Sequence, residues 1–123
     1  MKSTLLLLVC LVTGLMHGPS ADIMGKWKLQ KLETGGKTMY PKKFDFIVTF
    51  TAASIMYNQE SNKCTAKVLS ITDNTIKLAE PVCSEIPTHD SISIYLDYSG
   101  AYTLHDSLLT ITNDNGKFYL KRQ

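Results

Sequence analysis

The sequence has no marked excess of either charge. Its 13 lysine and arginine residues nearly balance 11 aspartate and glutamate residues, which gives a formal net charge of +2 at pH 7. Surfaces that bind nucleic acid carry a clear basic excess, and the pair Lys42-Lys43 is typical of a solvated turn. We therefore predict no nucleic-acid partner.

Side chains in a catalytic arrangement are also lacking. The histidines beyond the N-terminal segment are His89 and His105, and each directly precedes an aspartate. Neighbours on a strand point to opposite faces, so neither pair predicts an oriented dyad. The sequence contains no Gly-x-Ser-x-Gly, no His-Glu-x-x-His and no phosphate-cradling glycine loop. We predict a protein that is not an enzyme, with no cofactor and no metal site.

The one long apolar run lies at the N-terminus, over residues 5–12. It is too short to cross a bilayer and is typical of a secretory signal peptide. Small residues follow, so we expect cleavage after Ser20 or Ala21. The sequence thus predicts a signal peptide over 1–21, a mature domain over 22–123 without a membrane span, and a secreted protein, or a periplasmic one if the source is bacterial.

Cysteine is scarce, and two of the three cysteines, Cys64 and Cys83, lie in the predicted mature domain. An even pair in an exported protein favours a disulfide over a metal site. A hairpin that turns at Asp73-Asn74 would place both cysteines equally far from the turn, so cross-strand pairing is geometrically plausible. In the chain-entropy model such a bridge contributes on the order of 3 kcal/mol.

What the mature sequence does contain is a series of short alternating patterns separated by turn residues. Alternation is clearest over 91–98, where Ile92, Ile94, Leu96 and Tyr98 alternate with more polar residues. Regularly spaced short strands with short turns predict an antiparallel meander. We predict an all-β, monomeric, small up-and-down barrel of about eight strands with one disulfide. The predicted strands cover residues 24–32, 44–50, 54–57, 64–71, 75–78, 91–98, 101–104, 108–112 and 117–122.

The first and last predicted strands carry a motif. Gly25-Lys26-Trp27 contains the only tryptophan, and Arg122 near the C-terminus is the only arginine. Together they resemble the lipocalin-like domains of the calycin group. The resemblance implies that Gly25, Trp27 and Arg122 close the barrel, with the guanidinium lying over the indole face as a cation–π partner.

The same resemblance implies a binding protein for a small apolar ligand. Residues with apolar bodies and, for tyrosine, polar tips would then surround the ligand. The alternative is that these side chains only fill the core and cover the barrel ends. The ligand-binding candidates are Phe46, Phe50, Tyr57, Ile94, Leu96 and Tyr102.

The chain also partially resembles the HslJ/META domain, through its early tryptophan and a cysteine after a phenylalanine-rich strand. The chain is also similar to secreted barrel inhibitors of bacterial proteases, with which it shares its size, an early Gly-x-Trp and a single cysteine pair. These resemblances imply a protein partner instead: a protease or lysozyme inhibitor, or an envelope-stress domain. Residues 58–62 and 85–90 are the candidate contact loops.

Overall fold

The computed structural model describes residues 22–123, and the predicted signal peptide over 1–21 lies outside the described residues. Ten strands and one short 3-10 helix make up this part of the chain. Within it, no helix is long and apolar enough to cross a membrane. The strands are β1 (Gly25–Thr34), β2 (Lys37–Met39), β3 (Ile47–Phe50), β4 (Ser54–Gln59), β5 (Asn62–Ile71), β6 (Thr75–Leu78), β7 (Val82–Cys83), β8 (Gly100–His105), β9 (Leu108–Asn113) and β10 (Gly116–Arg122).

Eight of these strands close into an antiparallel barrel, in the order β1-β3-β4-β5-β6-β8-β9-β10 with β10 paired back to β1. Strand β2 pairs only at the edge of β1, and β7 pairs with β5. Closure pairs every one of the eight strands on both sides, although β6 and β8 pair at only two positions. Paired edges protect short apolar strands from pairing with other chains. The predicted all-β barrel of about eight strands is confirmed.

The barrel interior is filled by large side chains. Alternate residues of each strand point inward, and Trp27, Phe46, Phe50 and Phe118 are all buried in one continuous apolar cluster. A small eight-stranded barrel has an interior just wide enough for such side chains to fill. The interior therefore serves mainly as the hydrophobic core of the domain.

The disulfide joins Cys64 of β5 to Cys83 of β7. The two residues lie directly opposite each other in the antiparallel pairing, with their Cα atoms 4.1 Å apart. The hairpin between β5 and β6 turns at residues 72–74, and the two cysteines lie nearly equally far from it. The predicted disulfide is confirmed, and it fixes the short β7 against the barrel.

The predicted strand over 91–98 is wrong. A 3-10 helix, Ser91–Tyr95, occupies its first half, and Leu96 to Ser99 lead into β8. The Asp90 carboxylate caps this helix by accepting a hydrogen bond from the backbone N–H of Ile92 at 3.4 Å. Ile92 and Tyr98 are buried but Ile94 is 69% exposed, so the alternation does not mark one buried face.

The predicted strand over 44–50 is also too long, since β3 begins only at Ile47. The side chain of Asn58 explains this start: its Oδ1 accepts from the Ile47 N–H at 2.8 Å, and its Nδ2 donates to the Asp45 carbonyl at 2.8 Å. A side chain thus takes the place of a strand partner, and residues 40–46 stay irregular.

Candidate ligand-binding cleft

At one end of the barrel, which we call the Trp27 end, the side chains of Trp27 and Arg122 lie against each other. The Arg122 guanidinium carbon lies 4.2 Å from the centre of the Trp27 ring, and the two residues are register partners in β1 and β10. The indole Nε1 donates to the Ile23 carbonyl at 2.8 Å, and Arg122 Nη1 donates to the Met24 carbonyl at 2.9 Å. Gly25 adopts φ +108°, a conformation that side-chain-bearing residues rarely adopt.

The other end, which we call the loop end, is covered by residues 84–99. Glu60, in the turn between β4 and β5, holds this segment with its buried carboxylate. That carboxylate accepts hydrogen bonds from the N–H of His89 at 2.7 Å, the N–H of Asp90 at 2.8 Å and the Ser93 hydroxyl at 2.7 Å. Burial alone would raise the pKa of Glu60, but the bonds from Ser93, His89 and Asp90 outweigh it and hold the pKa below its ordinary value.

Two further side chains of the β4–β5 hairpin hold the same segment. The Asn62 amide donates to the Ile86 carbonyl at 2.7 Å and accepts from the Ile86 N–H at 2.6 Å. Gln59 donates to the Ser93 carbonyl at 2.8 Å. Residues 58–62, a predicted partner-contact loop, are thus largely engaged within the domain. The second predicted loop, 85–90, keeps Ile86 half exposed.

Beside the loop end the barrel wall opens between β6 and β8. These strands pair only at Thr75 with Ala101 and at Ile76 with Gly100. Beyond this point Pro81, which has no N–H to donate, interrupts the chain, and β7 pairs with β5 instead. The gap is a cleft of about 360 Å³, the β6–β8 cleft, lined by Tyr57, Ala66, Leu78, Ala79, Glu80, Pro81, Leu96, Asp97, Tyr98, Ser99 and Asn115.

Tyr98 is the most unusual residue of this cleft. It is 1% exposed, and its buried hydroxyl has no hydrogen-bond partner within residues 22–123. Buried polar groups are nearly always paired, because an unpaired one costs about 1–3 kcal/mol. The ring of Tyr57 packs edge-on against Tyr98, with centroids 5.0 Å apart.

Both tyrosines keep their protons near neutral pH. Burial and the neighbouring Tyr57 raise the pKa of Tyr98 far above its ordinary value. Burial and the Asp97 carboxylate also raise the pKa of Tyr57. Tyr57, Asp97 and Tyr98 all line this cleft.

The structure brings only two of the six predicted ligand-binding residues to the cleft, namely Tyr57 and Leu96. Phe46 and Phe50 belong to the core. Tyr102 is buried toward the Trp27 end, where its hydroxyl donates to the Thr72 carbonyl. Ile94 faces a separate surface groove beside Met39 and Tyr95. The six residues do not share one site.

The six ligand-binding candidates do not include Tyr98, Leu78 or the carboxylates of this cleft. The usable signal was Pro81, which interrupts the apolar pattern between β6 and Cys83. Glu60 is not among these six candidates either, and it carries a positive φ of 57°. Glutamate is not typical of positions with positive φ, so the sequence carries no signal that Glu60 holds the segment 84–99.

The residues that could act in catalysis or hold a metal are dispersed. His89 is largely exposed and lies 3.8 Å from Glu60, whose carboxylate is engaged with backbone N–H groups. His105 and Asp106 are about 90% exposed at a hairpin turn. Over residues 22–123, no three or more histidine, cysteine, aspartate or glutamate side chains group together as a metal site would require.

Comparison of the chain with protein-family models, with curated proteins and with solved structures finds no match. A closed β-barrel is compatible with a binding protein, but a fold alone does not specify function. The chemistry of the β6–β8 cleft is therefore the basis for any assignment.

Proposed function

We propose that this chain is an exported, lipocalin-like, non-enzymatic binding protein that holds a small ligand with an apolar body in the β6–β8 cleft. The observation that carries the proposal is that Tyr98, whose buried hydroxyl has no partner within residues 22–123, lines this cleft. A bound ligand would give that hydroxyl a partner, and the cost of leaving it unpaired would be removed on binding.

The size and lining of the cleft support this function. Its volume of about 360 Å³ lies within the range usual for small-molecule sites. Leu78, Pro81 and Leu96 offer apolar surface, while Tyr57 and Tyr98 add rings with polar tips. The lining mixes polar and apolar surface in similar amounts, so its polar groups would fix the orientation of a ligand whose apolar body packs against the aliphatic residues.

The packed interior argues for a site in the wall of the barrel. Trp27, Phe46, Phe50 and Phe118 are at most 1% exposed and occupy the space that larger barrels leave for a ligand. A ligand at the β6–β8 cleft would reach Tyr98 without displacing these side chains. The lipocalin-like closure at the Trp27 end and the ligand site would then be separate features.

Native mass spectrometry of the protein from its natural source tests the proposal. We expect a small molecule to co-purify with the wild-type chain and to be lost in Ala79→Phe, which fills the cleft. The backbone N–H of Ala79 donates to the Lys67 carbonyl at 2.9 Å, and phenylalanine keeps this bond. Ala101→Phe, on an exposed position of β8, is the matched control and should retain the ligand. Retention of the ligand by Ala79→Phe would refute the cleft as its site.

The second candidate function is a protein-binding module: a protease or lysozyme inhibitor, or an envelope-stress domain of the HslJ/META type. Its support is the exposure of two branched apolar side chains near the loop end, Val82 at 77% and Ile86 at 48%. The same mass measurement separates the two functions. A stoichiometric protein partner, lost in Val82→Ser with Ile86→Ser, would favour this second candidate.

A further inference from the structure

We infer that the ligand of the β6–β8 cleft carries a protonated amine, held by the carboxylates of Asp97 and Glu80. This inference rests on the proposed function and concerns the chemistry of its ligand. Of the eleven residues that line the cleft, two are acidic and none is basic. A cleft with one sign of charge concentrates ligands of the opposite charge.

The side-chain donors of Ser99 and Asn115 are already engaged within the protein. The Ser99 hydroxyl donates to Asp97 Oδ1 at 2.7 Å, and the Ser99 N–H donates to the same oxygen at 3.0 Å. The Asn115 amide donates to the Tyr95 carbonyl at 2.9 Å. A carboxylate or phosphate ligand would find side-chain donors only in the tyrosine hydroxyls, and it would meet the like charge of Asp97 and Glu80.

The acceptors, in contrast, are available. Within residues 22–123 the second carboxylate oxygen of Asp97 and both oxygens of Glu80 accept no protein hydrogen bond. The hydroxyl oxygen of Tyr57 adds a further acceptor. An ammonium group has three donors and no acceptor, which is the complement of this set.

The polar side chains of the cleft lie at different depths. Glu80 is exposed, Asp97 is half-buried and Tyr98 is buried, so the carboxylates lie toward solvent. An ammonium near Asp97 stays partly hydrated, while its apolar body packs against Leu78 and Leu96. Charge-assisted hydrogen bonds at such a position are about twice as strong as neutral ones.

Three probes of similar shape test the charge preference: 2-phenylethylamine, 2-phenylethanol and 3-phenylpropionate. Each is titrated into the full mature chain, and binding is followed by amide NMR shifts of the cleft residues. We expect the amine to bind about tenfold more tightly than the alcohol, because its bonds to the carboxylates are charge-assisted. The carboxylate should bind most weakly, because Asp97 and Glu80 repel it.

Variants then assign the preference to these carboxylates. Asp97→Asn combined with Glu80→Gln should reduce the amine-to-alcohol affinity ratio to about threefold or less. Asparagine at position 97 retains an oxygen that can accept from Ser99, so the local turn is preserved. Asp73→Asn, on an exposed turn outside the cleft, is the matched control and should keep the wild-type ratio.

The outcomes separate this inference from the proposed function. Equal binding of amine and alcohol, with both shifting cleft residues, would overturn the amine inference and leave the cleft as a ligand site. Preferred binding of the carboxylate would do the same. If none of the three probes shifts the cleft residues, both the inference and the proposed function fail.

Discussion

The two ends of the barrel are held by different chemistry. At the Trp27 end an indole and a guanidinium stack at 4.2 Å, and hydrogen bonds to main-chain carbonyls fix both groups. At the loop end the Glu60 carboxylate gathers three donors from a segment about thirty residues away. We therefore expect the Trp27 end to contribute mainly to the stability of the domain, and the loop end to shape the cleft beside Tyr98.

The largest effect is expected at the Trp27 end. Trp27→Ala should lower the free energy of unfolding by about 3–5 kcal/mol, because it removes a fully buried indole from the core. Urea unfolding followed by far-UV circular dichroism measures this. Arg122→Ala should cost less, since the side chain that it removes is only half-buried, whereas the indole is fully buried. Wild-type melting of both variants would show that this end does not stabilise the barrel.

Glu60 should make the loop end sensitive to pH. The pKa of Glu60 in the folded protein lies below its ordinary value of 4.5, so the unfolded chain binds the proton more tightly. This contribution to stability is fully present above about pH 4.5 and is lost as the pH falls through the lower, folded pKa. Glu60→Gln should therefore be less stable than wild type at pH 7, and the difference should shrink on acidification.

Hydrogen exchange checks whether this effect is confined to the loop end. In Glu60→Gln the amides of His89 and Asp90 should lose protection at pH 7, since both donate to the Glu60 carboxylate. The fluorescence of Trp27, at the opposite end, should stay as in wild type until the whole domain unfolds. Glu85→Gln, an exposed glutamate of the same segment, is the matched control. A pH-independent difference between wild type and Glu60→Gln would contradict the charged role of Glu60.

The same contrast explains which features the sequence could predict. The Trp27 end is encoded by single residues in strands with clear alternation, so Gly25, Trp27 and Arg122 identify it directly. Cys64 and Cys83 likewise lie symmetrically about one turn. The loop end depends on Glu60 and Asn62, whose partners lie more than twenty residues away. The alternation over 91–98 therefore predicts a strand, because the hydrogen bonds that hold the 3-10 helix Ser91–Tyr95 in place come from residues far away in the sequence.

The cleft was only partly predictable for a related reason. Tyr57 and Leu96 are recognisable from their type as residues that can line a site, and the structure places both there. The position of the opening depends on where β6 and β8 separate, which a strand pattern does not encode. That the Tyr98 hydroxyl lacks a partner within residues 22–123 is a property of the packed structure alone.

The smallest stability effects should have opposite signs at two buried tyrosines. Tyr98→Phe removes an unpaired hydroxyl, so it should raise the free energy of unfolding of the ligand-free protein by about 1–3 kcal/mol. Tyr102→Phe removes a hydroxyl that donates to the Thr72 carbonyl, so it should lower that free energy by about 0.5–1.5 kcal/mol. Urea unfolding of the two variants beside wild type measures both.

The same two variants should affect ligand affinity differently from stability. Tyr98→Phe should weaken binding of a ligand in the β6–β8 cleft, whereas Tyr102→Phe, outside the cleft lining, should leave it unchanged. A residue that weakens the empty protein but strengthens the complex is one kept for binding, since selection for stability alone would favour phenylalanine. If Tyr98→Phe destabilises the ligand-free protein, its hydroxyl has a partner and the main support for the cleft as a binding site is lost.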